Sequence, residues 1–171
     1  MSKRFTMIGL LLLLTAGPRD IQAKSWRGIK PLESIAKDVA KLAEACEKAE
    51  TRCQFTVDDQ EVMVVFSGSK VGDLECAAVP KQTVLAVIVK FSRPQKLKKF
   101  QLAKKQFKVF DPSSPPDQGY QTYYYEEDGF LINTYKDQVV GLVYIASRAD
   151  THLCPEYYKD PKAFVEIGLI P

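Results

Sequence analysis

The chain is poor in the residues that most catalytic and metal sites are built from. Histidine and tryptophan each occur once in 171 residues, and methionine three times. A zinc site needs four closely spaced ligands, and one histidine with four scattered cysteines does not supply them. No paired C-x-x-C spacing, G-x-G-x-x-G turn or Walker A stretch is present. The G-x-S-x-G elbow is missing too, since Ser67-Gly68-Ser69 does not fit it. No cofactor and no metal is therefore expected. After the first residues there is no apolar run near the ~20 needed to cross a bilayer as a helix.

The N-terminus is the clearest signal. Lys3 and Arg4 precede an almost wholly apolar stretch from Met7 to Ala16 with five leucines in a row, Leu10 to Leu14. Gly17 and Pro18 break it, and Ile21-Gln22-Ala23 ends on a small residue. Positive, apolar, then small is the order of a cleavable secretory signal, expected here over residues 1–23. The mature protein is then exported, periplasmic or extracellular. Residues 24–155 are expected to form one domain and 156–171 a C-terminal extension. Loss of Lys3, Arg4, Arg19 and Asp20 lowers the formal charge from +3 to about +1, so steering towards nucleic acid is not implied.

Cys46, Cys53, Cys76 and Cys154 all lie in the mature part. An even count in an exported chain favours disulfides. Four cysteines allow three pairings, and sequence does not choose among them. Cys46–Cys53 with Cys76–Cys154 is preferred, because the first ties a helix end to the next strand and the second closes a long loop.

The predicted fold class is α+β: one N-terminal amphipathic helix, then an antiparallel sheet of about six strands ending in a meander. Ser34 is a candidate N-cap. Ile35, Val39 and Leu42 recur at helical spacing, and the helix is expected to reach Cys46–Glu50. The period then becomes two. Cys53–Val57 and Val62–Phe66 flank a polar turn and read as a hairpin. Ser67–Lys81 reads as a loop. Thr83–Phe91 is the strongest strand, apolar enough for burial on both faces. Tyr120–Tyr125, Phe130–Tyr135 and Val139–Ala146 form the meander, with Asp128-Gly129 as a tight turn. Phe164–Ile170 reads equally as an edge strand or a packed tail.

Trp26-Arg27-Gly28-Ile29 with Pro31-Leu32-x-Ser34, Val79-Pro80-x-x-Thr83-Val84 and His152-Leu153-Cys154-Pro155 resemble a group of uncharacterised exported bacterial proteins. The resemblance covers roughly Ser25–Pro155 and implies no activity. Glu44–Arg52 with Cys46, followed directly by Cys53, and the residues after Pro155 depart from that group's pattern. In element order the chain is also loosely similar to lipoprotein modules of outer-membrane assembly and to β-lactamase-inhibitor-like domains.

Four features are candidates for function. Lys96–Lys108 holds six lysines, including Lys98, Lys99, Lys104 and Lys105, and no acid. Clustered lysines gain by displacing counterions, so they suit anionic lipid headgroups, polysaccharide or nucleic acid. The bland reading, which the sequence favours, is a solvated face over a packed apolar side. Periodicity does not separate helix from strand there. Tyr123 and Tyr125 share one strand face and could join this surface, or fill core. Asp150-x-His152-x-Cys154 would need a free thiolate to act as a nucleophile. Glu126-Glu127-Asp128 sits at a hairpin tip, where carboxylates are normally solvated.

The expected function is therefore a non-enzymatic binding or structural module. Its partner would be an unknown protein or a polyanionic envelope component, including peripheral contact with a membrane, and nucleic acid is not expected. The alternatives are a hydrolase using His152 with a nearby carboxylate, and a small-protein inhibitor presenting Ser67–Ala78.

Overall fold

The computed structural model describes residues 24–68, 70–71, 74–100, 106–113 and 119–170. The proposed signal segment lies outside the described residues.

The period-two segments become strands. They are β1 (Arg52–Val57), β2 (Gln60–Phe66), β3 (Lys70–Val71), β4 (Leu74–Glu75), β5 (Val84–Lys96), β6 (Lys108–Phe110), β7 (Tyr120–Tyr125), β8 (Phe130–Tyr135) and β9 (Gln138–Tyr144). Seven of them build one antiparallel sheet in the order β1-β2-β5-β9-β8-β7-β6, while β3 and β4 pair only with each other. The β1–β2 turn is two residues, Asp58-Asp59, both at positive φ. That is the backbone a two-residue hairpin demands, and Asp tolerates it. β7, β8 and β9 are sequential neighbours, so the expected meander is present.

β5 lies between β2 and β9, and Val84 to Val89 are all essentially solvent-free. Both faces of the sheet are covered. On the first face Trp26, Ile29, Ala36, Val39 and Cys46 pack on Val62, Val64, Val84 and Val87. On the second, Tyr157, Tyr158, Phe164, Val165 and Leu169 pack on Leu85, Ile88, Leu131 and Val143. The stretch Phe164–Ile170 thus packs as a tail, most of it within helix α2 (Lys162–Gly168). At Gly168 an added Cβ would fall 2.5 Å from Ile88 Cγ2, so glycine lets the end of α2 sit on β5.

The N-terminal helix is much shorter than its apolar spacing predicts. Helix α1 spans only Ala36–Ala40, followed by a 3-10 turn at Glu44–Cys46. Ser34 does not cap it. The segment before α1 runs alongside β5, with Leu32 N–H on Val84 O at 2.7 Å and Val84 N–H on Ser34 O at 2.8 Å. Ser34 Oγ instead accepts the Lys30 N–H at 3.0 Å. Docking by backbone bonds sets the helix orientation, so Ala36, Val39 and Cys46 face the core while Ile35 and Leu42 stay exposed.

Both disulfides have the preferred pairing, Cys46–Cys53 and Cys76–Cys154. The first joins the 3-10 turn after α1 to β1. The second joins Cys76, directly after β4, to the start of the C-terminal segment. No helix among the described residues is long and apolar enough to cross a membrane.

Candidate functional site

The lysine-rich segment is neither one helix nor one strand. β5 leaves regular pairing with β9 after Lys90 and regains it at Gln95, so Phe91–Pro94 form a wide irregularity. Pro94, which has no N–H to give a ladder, is tolerated there. The chain then turns through a 3-10 segment, Leu97–Phe100. Residues 101–105, with Lys104 and Lys105, lie outside the described residues. Phe107 and β6 follow at the far edge of the sheet. The connection is a strap from the sheet centre to its edge.

Before residues 101–105 the apolar side chains pack inward. Leu97 and Phe100 join the first-face core, and Phe100 lies 6.1 Å from Phe91 by ring centroids. Phe107 caps two tyrosines, at 5.4 Å from Tyr123 and 5.5 Å from Tyr125. Tyr125 is 3% exposed and therefore a core residue, while Tyr123 is half-buried. Burial pushes the Tyr125 hydroxyl up to about 12, helped by Tyr123, and that hydroxyl has no hydrogen-bond partner among the described residues. What faces outward is Phe107, 46% exposed, Val109, 51% exposed, and Lys96, Lys98 and Lys108. Lys96 and Lys98 are exposed, and Lys108 Nζ meets Glu126 Oε2 at 2.6 Å. The Lys99 side chain lies outside the described atoms.

The charge segregation is broader than the strap. Nine basic residues and no acidic one lie between Cys76 and Phe110. The other residues from Lys24 onward carry 12 basic and 20 acidic side chains. Periodicity alone does not mark Lys81, Lys90 and Arg93 as part of this run; counting sign along the chain would.

The remaining candidates are not brought together as a catalytic group. His152 is exposed on the 3-10 turn Thr151–Leu153, and its Nδ1–H donates to Ala149 O at 2.7 Å. Asp150, its neighbour, accepts a hydrogen bond from Ser147 Oγ. Cys154 is buried in its disulfide, so it offers no thiolate. Glu126 pairs with Lys108, and Glu127 Oε1 with Arg148 Nη1 at 2.9 Å. The expected tight turn there is a 3-10 turn, Glu126–Asp128, closed by left-handed Gly129. These carboxylates anchor β6 and the segment after β9 to the hairpin end.

On the second face an open groove of about 320 Å³ lies beside β1 and the end of α2. Gln54, Thr56, Glu61 and Lys90 supply polar walls, and Met63 and Ile88 an apolar floor. Glu61 and Lys90 face each other across the β2–β5 ladder.

No family model, no curated protein and no solved structure matches this chain.

Proposed function

We propose that this chain is an exported, non-enzymatic binding module that holds a polyanionic component of the cell envelope against its lysine strap. The observation that carries the reading is the run of nine basic residues without an acid between Cys76 and Phe110, with Lys96, Lys98 and Lys108 exposed beside the packed Leu97 and Phe100. An anion laid along it displaces counterions from several lysines at once. Exposed Phe107 and Val109 add apolar contact beside the charge. In this reading the N-terminal 23 residues are a signal peptide, removed on export to the periplasm or beyond. Two disulfides fit an oxidising compartment. The fold is taken as α+β, with short helical segments acting as covers of the sheet.

Retention on a heparin column tests it. Replacing Lys98, Lys99, Lys104 and Lys105 by Ser should move elution to clearly lower salt. Unchanged retention would remove the strap as the contact.

A second reading, an inhibitor presenting Ser67–Ala78, is favoured by the way that segment is tied at both ends. Cys76 is bonded to Cys154, and Ser67 Oγ donates to Pro80 O at 2.7 Å. Tight one-to-one binding to an exported enzyme would establish it.

A further inference from the structure

We propose that the polyanion is an acidic polysaccharide, whose sugar units lie along one row of side chains where β8 turns into β9. The row is Lys96, Gln138, Tyr135 and Tyr120. This rests on the strap being a polyanion contact, and it names the chemistry of the partner.

The row follows from the register of the sheet. Lys96 stands opposite Gln138, Gln138 opposite Tyr135, and Tyr135 opposite Tyr120. Residues directly opposite in an antiparallel ladder point to the same face. The four side chains therefore run side by side across β5, β9, β8 and β7. At a strand spacing of ~4.8 Å the row is ~14 Å long. Lys96 and Gln138 are exposed, and both tyrosines are half-buried. Lys96 is the last residue of β5, where the strap leaves the sheet, so the row carries the basic run onto the meander.

The β8–β9 turn builds the other end. It is Lys136-Asp137, both at positive φ. The Lys136 N–H donates to Gly119 O at 2.8 Å and ties the turn to the start of β7. Gly119 lets the Tyr135 ring lie against the backbone, since an added Cβ would fall 2.4 Å from Tyr135 Cε2. The rings of Tyr120 and Tyr135 pack at 4.7 Å between centroids, and Lys136 Nζ lies 5.0 Å from the Tyr135 centroid. The aromatic pair is thus ordered before any ligand arrives, which spares binding that cost.

The spacing of charge selects the occupant. Neither Lys96 nor Lys136 takes part in an ion pair among the described residues. Lys136 rests on Tyr135, two strands away from Lys96, a backbone separation of ~10 Å. Between them stands the Gln138 amide, with both donors and an acceptor. Cations set apart by a neutral hydrogen-bonding group suit a chain whose anionic groups alternate with hydroxyls. A polysaccharide bearing carboxylates or sulfates has that pattern, and its C–H faces suit the half-buried rings. Polyphosphate, charged at every unit, gains nothing from the amide or the rings. A single lipid headgroup does not span the row.

Calorimetric titration of the full mature chain with a heparin hexasaccharide tests this, beside inorganic polyphosphate and phosphatidylglycerol vesicles. Gln138→Ala changes no charge and falls at an exposed position. It should weaken hexasaccharide binding at least threefold and leave polyphosphate binding unchanged. Lys136→Gln should weaken both, and Asp137→Asn should strengthen both. In the wild type, the Gln138 side-chain amide resonances should shift as hexasaccharide is added. An unshifted amide, or a Gln138→Ala variant that treats the two polyanions alike, overturns the proposal. Hexasaccharide binding that depends on Lys98 and Lys99 but not on Gln138 leaves the strap as the contact and removes the row. Absence of binding to every polyanion removes both. Vesicle binding without hexasaccharide binding makes lipid the partner and refutes the polysaccharide.

Discussion

Cys76 and Cys154 are 78 residues apart in sequence and bonded to each other on the second face of the sheet. Every strand from β5 to β9 lies inside the loop they close. Cys46 and Cys53 close a loop of only seven.

The two bonds should therefore differ in worth. By the chain-entropy argument the long loop contributes about 4–5 kcal/mol and the short one about 2.4 kcal/mol. Urea midpoints for Cys76→Ser/Cys154→Ser and Cys46→Ser/Cys53→Ser variants should fall in that order. An equal or reversed effect would show that unfolded-state restriction is not what these bonds supply.

Gly129 should tolerate no side chain. Its φ is +62°, and an added Cβ would lie 2.3 Å from Ile145 O and 2.5 Å from Ala146 O. Neither obstacle is a movable side chain. Gly129→Ala should lose at least about 2 kcal/mol, from left-handed strain plus displaced backbone. A loss below about 0.5 kcal/mol in chemical denaturation would contradict the close approach.

Tyr125→Phe should be neutral or stabilising by about 1 kcal/mol. The hydroxyl is buried without a partner, and removing an unsatisfied polar group lowers the penalty of burying the ring. Phe107→Ala should act the other way, by uncovering Tyr123 and Tyr125. Thermal midpoints of the two variants would check the opposite signs.

Alkaline pH should unfold the protein through its tyrosines. Burial raises Tyr124 and Tyr125 to about 12 and shifts Tyr144, Tyr157 and Tyr158 upward as well. A raised folded value means the folded state holds the proton more tightly. The stabilisation is complete below the unfolded value near pH 10 and is lost as pH climbs from there through the folded values. Between pH 10 and 12 the unfolded chain binds fewer protons, so unfolding free energy falls with rising pH. Absorbance at 295 nm should show these tyrosines ionising late and together with loss of ellipticity. Ionisation near pH 10 with the fold intact would contradict their burial.

Much of the sheet was legible because a strand's period of two is local. Tyr120–Tyr125 and Phe130–Tyr135 begin and end where alternation and turn residues place them. The unbroken apolar run in β5 announced burial on both faces for the same reason. The helix was over-read: Ile35, Val39 and Leu42 have helical spacing, yet α1 ends at Ala40, and with Leu32 and Ser34 bonded to Val84 only Val39 of the three is buried. The lysine segment had two competing periods. What fixes it is the landing of Leu97, Phe100 and Phe107 on residues far away in sequence.

The sequence by itself determined the two central hairpins, β5 and the segregation of charge, since each depends on residues within a few positions of one another; it read Ser67–Lys81 as a loop where β3 and β4 form, and did not separate β6 from helix. Cysteine number favoured two disulfides but left three pairings open. Only the tertiary structure decided that Cys46 meets Cys53 and Cys76 meets Cys154. It alone set β5 between β2 and β9, folded the C-terminal tail as α2 over the second face, and left β1 as a regular edge. Those outcomes turn on which surfaces bury each other across dozens of residues, and no local pattern carries that information.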